Sequence, residues 1–116
     1  MPSEAFCFEG EEGKLTIHLW SNASVDAIEY EHDYWHDIVP ISAPDRYDVL
    51  ACMDRECENM VLLAECRYPI NEKGGPNQIC EIQNRSPPTD QVQVVFRTNH
   101  GQGYTCVYQL RVLNWN

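Results

Sequence analysis

Apolar and polar residues alternate along several stretches of this chain. In Lys14–Trp20, Leu15, Ile17 and Leu19 fall on one face and Thr16, His18 and Trp20 on the other. In Gln91–Thr98, Val92, Val94 and Phe96 share a face, as do Tyr104, Cys106, Tyr108, Leu110 and Val112 in Tyr104–Leu113. A period of two belongs to half-buried β-strands. The connector from Asn99 to Gly103 contains two glycines, which tolerate positive φ, so the last two stretches are expected to pair as a hairpin. Turn chemistry at Ser21–Ser24 precedes a further strand over Val25–Tyr30, and Pro2–Gly13 reads as an irregular lead-in anchored by Phe6 and Phe8.

Asp45–Cys66 supports two readings. As strands it gives Arg46–Met53, a turn at Asp54–Glu56, and Asn59–Cys66. As a helix, Leu50, Met53, Cys57, Val61 and Ala64 follow three-and-four spacing, with Ser42, Pro44 and Asp45 as start signals. The β-like flanks favour strands. Tyr68–Gln78 and Arg85–Asp90 are loops rich in Pro and Gly, and Cys80–Ile82 is a short strand at most. Many short strands between such loops predict an all-β, antiparallel β-sandwich of the jelly-roll type, with an α+β fold carrying a helix near 45–66 as the alternative.

At 116 residues the chain is expected to be a single domain, 1–116, with a core small enough to need covalent support. Cys7, Cys52, Cys57, Cys66, Cys80 and Cys106 are even in number and widely spread, which predicts disulfides and an extracellular or secreted setting. Asn22-Ala-Ser24 and Asn84-Arg-Ser86 match the glycosylation acceptor pattern, the second followed by Pro87. Met-Pro-Ser-Glu lacks the basic start and apolar run of a signal peptide, which reads as an excised mature domain. The net charge of −10 disfavours nucleic acid and anionic membranes as partners. The acidic excess is N-terminal: nine acidic residues and one lysine precede Ile38.

Candidate chemistry concentrates in Glu29–Asp37, where carboxylates and imidazoles alternate with aromatics. His32 and His36 are four apart, the spacing of two zinc ligands on one helix face, but Asp33 replaces the glutamate a metalloprotease base requires. They support an alternative reading as a small secreted metal-dependent hydrolase or inhibitor. No Gly-x-Ser-x-Gly elbow or phosphate-binding loop is present, and an enzyme is not expected. Tyr30, Tyr34, Trp35 and Tyr47 surround the acidic segment and are expected to form a contact surface for a protein or, lectin-like, for a glycan.

Part of the chain resembles a CUB domain, an extracellular β-sandwich module. The resemblance rests on Tyr47-Asp-Val-Leu50, on Leu62-Leu-Ala-Glu-Cys66, and on Val92–Phe96 followed by Gly103-Tyr104. Departures are Ala43–Arg46, where that family has a cysteine, and Arg67, where it has a glycine. The resemblance implies calcium as a cofactor, held by Glu29 or Glu31 with Asp48 and, at a third position, Asn99. A rival is the immunoglobulin sandwich, to which Gly103-Tyr-Thr-Cys106 is similar, although Leu19 occupies the place of its first cysteine. The expected function is that of an extracellular recognition module binding a protein or glycan partner, with calcium assistance.

Overall fold

The computed structural model describes residues 6–32, 41–69 and 77–115, and no helix occurs among them. Nine strands follow one another: β1 (Phe6–Glu9), β2 (Gly13–Ala23), β3 (Ala27–Glu31), β4 (Arg46–Cys52), β5 (Met60–Arg67), β6 (Asn77–Glu81), β7 (Thr89–Phe96), β8 (Tyr104–Val107) and β9 (Gln109–Leu113). They form a four-stranded sheet in the order β2-β7-β4-β5, a three-stranded sheet β6-β3-β9, and a β1-β8 pair, with every pairing antiparallel. The fold is therefore all-β, and Asp45–Cys66 is strand rather than helix.

Alternation decides what each strand buries. Tyr47, Val49 and Ala51 of β4 and Val92, Val94 and Phe96 of β7 point inward. They meet Ile28 and Tyr30 of β3 and Leu63 of β5 in one core cluster, against which Leu15, Ile17 and Leu19 of β2 pack. Each fully buried aliphatic side chain there contributes about 1.5–3 kcal/mol. The register slips between Val49 and Leu50, so Leu63 and Ala64 are both buried while Met60, Val61 and Leu62 face solvent. Such a bulge disturbs the ladder locally, and the Leu63 carbonyl accepts both the Gln83 and Asn84 N–H groups.

The expected hairpin between Gln91–Thr98 and Tyr104–Leu113 does not form. β2 and β4 occupy both edges of β7, and the later stretch divides at Tyr108: β8 pairs with β1, and β9 pairs with β3 in the other sheet. The lead-in also proves to contain a strand, because β1 supplies the partner that β8 requires.

Three disulfides use all six cysteines. Cys7–Cys106 joins β1 to β8 across a sequence separation of 99, and Cys66–Cys80 links β5 of one sheet to β6 of the other. Cys52–Cys57 closes the β4–β5 turn, where Cys57 sits at φ 56°, in the left-handed region that few non-glycine residues adopt. Asp54 supports this turn by accepting the Glu58 N–H at 2.7 Å and the Asn59 side-chain amide at 2.7 Å. The Glu58 bond leads the causes that lower the Asp54 pKa.

Candidate functional site

The pleat of β3 sorts the residues singled out in the acidic segment. Glu29 and Glu31 face outward, and Tyr30 faces the core between them. Arg111 lies opposite Glu29 in the ladder with β9, and its guanidinium reaches Glu29 Oε1 at 3.3 Å, Glu31 Oε1 at 3.0 Å and the Gln109 side chain. The outer face of the smaller sheet thus carries a carboxylate–arginine–carboxylate array, with one negative charge in excess.

Tyr30 and Tyr47, expected on a contact surface, are instead core residues, with 0% and 2% of their surface exposed. An aromatic ring can be buried once its polar tip finds a partner, and Tyr30 has several. Its hydroxyl accepts the Tyr108 N–H at 3.1 Å, lies 2.7 Å from His32 Nδ1 and is 3.3 Å from the Cys106 carbonyl. Burial raises the Tyr30 and Tyr47 pKa values and pushes Tyr68 up to about 12. Tyr34, Trp35 and His36 lie outside the described residues.

His32 is itself buried at 2% exposure, its ring packed edge-on against Tyr108 with centroids 4.6 Å apart. Desolvation, reinforced by the charge of His100, lowers its pKa to about 4. The ring is therefore neutral at physiological pH, and a hydrogen bond joins its Nδ1 to the Tyr30 hydroxyl. Nearby, His100 Nε2 donates to the Tyr68 carbonyl at 2.7 Å, with Asp45 Oδ1 4.0 Å away. His100 N–H bonds the Ile41 carbonyl and Cys106 N–H bonds the Ser42 carbonyl, which pins the 41–45 turn onto β8. One end of the sandwich is thus built from Tyr30, His32, Tyr68, His100 and Tyr108, with Glu31 at its outer lip. His100 and Tyr108 were not singled out as site residues, since strand-end polar residues carry no motif. Tyr108 directly follows β8, whereas His100 lies four residues beyond β7.

The residues expected to hold calcium are not brought together. Glu29 and Glu31 lie on the smaller sheet. Asp48 lies on β4 of the larger sheet and pairs with Arg97 Nη2 at 2.8 Å. Asn99 is buried, its side-chain oxygen accepting the Gly101 N–H at 2.9 Å and its amide donating to Gln102 O, Tyr104 O and Thr105 Oγ1. It holds the 99–105 loop in shape. Among the described residues, no group of three or more His, Cys, Asp or Glu is placed to hold a metal ion. Of the two glycosylation patterns, Asn22 is exposed on β2, whereas the Asn84 amide donates to the Leu62 carbonyl at 3.1 Å.

The family model described as Sad1/UNC-like C-terminal matches residues 1–114. The chain belongs to the Sad1/UNC-like C-terminal family. It is 39% identical over 120 residues to the Sun domain-containing protein 1 of Caenorhabditis elegans, covering 96% of this chain and 25% of that protein. It is 28% identical over 117 residues to the nuclear migration and anchoring protein unc-84 of the same organism, covering 96% of this chain and 10% of that protein. The chain therefore spans a quarter or less of these relatives. Among solved structures, a family 32 carbohydrate-binding module from Streptococcus pneumoniae superposes with a TM-score of 0.69 over 94% of this chain and 74% of that one, at 12% identity. That likeness establishes the jelly-roll β-sandwich fold alone.

Family membership corrects two expectations. The CUB resemblance is overturned: its short motifs are alternating strand residues that many sandwiches share. The secreted assignment is overturned as well, since this family is represented by a nuclear migration and anchoring protein rather than an exported one. What stands is that the Sad1/UNC-like chain is a non-catalytic binding module.

Proposed function

We propose that the chain is a protein-binding module of the nuclear envelope. It works in the lumen and holds a partner protein so that a nucleus can be anchored or moved. The observation that carries this reading is the family match over residues 1–114, together with a relative named for nuclear migration and anchoring. The disulfides support the luminal side, because such bridges persist in compartments continuous with the secretory pathway and are reduced in cytosol. A protein partner is favoured over a glycan because the glycan reading draws only on the sandwich fold, and a fold does not carry its neighbours' ligands.

The contact is assigned to the sandwich end lipped by Glu31. There the half-buried carboxylates Glu29 and Glu31 outnumber Arg111, and the net charge of −10 favours a partner segment bearing Lys or Arg. Rigid presentation comes from the Tyr30–His32–Tyr108 hydrogen bonds beneath.

The test is performed in cells carrying the full-length protein with an epitope beside this domain. The expected result is nuclear-rim staining that appears only after the outer nuclear membrane is permeabilised as well as the plasma membrane, with displaced nuclei when Glu29→Lys and Glu31→Lys are combined. The purified double variant is expected to melt no more than about 8 °C below the unaltered domain, since each of the two part-exposed pairs contributes at most about 1 kcal/mol. Accumulation of the protein in the medium, or normal nuclear position with the variant at normal abundance, refutes the reading.

A further inference from the structure

Two observations on β2 are absorbed neither by the core nor by the contact assigned above. Trp20 is 105% exposed, the most solvent-accessible large apolar side chain among the described residues. Two positions later, Asn22 begins the acceptor pattern Asn-Ala-Ser24. β2 is also an edge strand, paired only with β7. Its register runs from His18 opposite Gln91 to Ala23 opposite Thr89, so five steps along β2 match two along β7 and three residues are surplus. Leu19–Asn22 therefore bulges from the ladder. The outer edge of β2 is open, and the indole it carries is covered by no other described side chain.

We propose that Asn22 is N-glycosylated and that the first sugar of the glycan packs on the Trp20 indole. Trp20 and Asn22 are both exposed and two residues apart, a chain span of at most about 7 Å, so a pyranose ring on Asn22 Nδ2 lies within reach of the indole. The C–H groups of the sugar meet the negative π face of the indole. The modification transfers an oligosaccharide from a lipid diphosphate carrier. Asn22 Nδ2 forms a bond to the anomeric carbon, the bond from that carbon to the carrier oxygen breaks, and the lipid diphosphate leaves as the amide loses a proton.

Space favours Asn22. It is exposed and opens onto a polar cleft of about 570 Å³ lined by residues that include His18, Asp54, Arg55 and Gln91. Asn84 is the unfavoured acceptor: its amide donates to the Leu62 carbonyl, Ser86 is buried and bonded to the Val25 N–H at 3.0 Å, and Pro87 follows the pattern. The inference rests on the luminal reading, since the transfer occurs only in that lumen.

The experiment isolates the full-length protein from its own membranes and measures mass before and after peptide N-glycosidase, alongside alkylation of free thiols. The expected result is one oligosaccharide within this domain, retained in Asn84→Gln and lost in both Asn22→Gln and Ser24→Ala. Trp20→Ala is expected to lower the melting temperature of the glycosylated domain by about 2–6 °C more than that of the enzymatically deglycosylated domain. No glycan at Asn22 in a protein whose six cysteines resist alkylation overturns this inference and leaves the luminal reading standing. No glycan together with alkylatable thiols overturns both. An equal effect of Trp20→Ala on the two forms overturns the packing of sugar on indole.

Discussion

The burial of His32 makes domain stability depend on pH in a window where few other groups titrate. Its folded-state pKa is lowered from 6.5 to about 4, chiefly by desolvation. Because the folded state binds the proton more weakly than the unfolded chain, stability is fully present above about pH 6.5 and declines as pH falls toward 4. Between pH 8 and pH 5 the linkage relation gives a loss of about 2 kcal/mol, equivalent to about 8 °C in melting temperature for a domain of this size. The assay is urea denaturation followed by tyrosine and tryptophan fluorescence at several pH values, on the unaltered domain and on His32→Gln. Glutamine keeps a hydrogen-bonding side chain for the Tyr30 hydroxyl but carries no titrating group. Contributions from carboxylates are common to both proteins and cancel in the difference. The unaltered domain is expected to lose about 2 kcal/mol more than the variant between pH 8 and pH 5. Parallel curves over that range would refute the claim that a buried neutral imidazole supports this end of the fold.

Other predictions follow from packing and cross-linking. Tyr30→Phe removes the hydroxyl that serves both the Tyr108 N–H and His32 Nδ1, and is expected to cost about 1–3 kcal/mol by denaturant titration. Gly13→Ala would place a Cβ 2.7 Å from the Phe8 ring, which itself packs on Phe96 with centroids 5.8 Å apart. The expected destabilisation is about 1–3 kcal/mol, read as a lower urea midpoint with an unchanged slope. Replacing both members of the Cys7–Cys106 bridge by serine should cost about 4–5 kcal/mol, against about 2 kcal/mol for Cys52–Cys57, because the first closes the far longer loop. Calorimetry of the two serine pairs checks the order, and a reversed order would contradict the loop-closure argument.

How far the sequence could be read depended on whether the information was local. The face formed by Leu15, Ile17 and Leu19 was legible because alternation reports directly which side chains leave water, and β4 and β5 followed with their turn at Asp54. Partnership between strands was not legible. Alternation in Val92–Phe96 and Tyr104–Val112 says that each stretch has a buried face, but not which strand lies alongside, and loop closure did not enforce the hairpin. Tyr30 and Tyr47 misled because a tyrosine beside acidic residues looks the same whether its hydroxyl meets solvent or a buried His32. The family itself was hidden for a related reason: Tyr47-Asp48 and Gly103-Tyr104 are spacings that any sandwich with these strands produces. Glu29 and Glu31 were named as alternative calcium ligands, and Arg111, eighty residues after Glu31 in the chain, became their shared neighbour only through the β3–β9 ladder.

The Cys7–Cys106 bridge has a mechanical consequence. A pull that enters the backbone ahead of Cys7 and leaves it beyond Cys106 travels through sulfur, so the intervening strands carry no tension and the apolar interior is not stretched. Only β9, five residues joined to β3 alone, stands in the load path. Under traction this strand would unzip from its neighbour while the remainder of the fold stayed closed, and reducing the bridge would convert that short, self-limiting extension into unravelling of the whole domain.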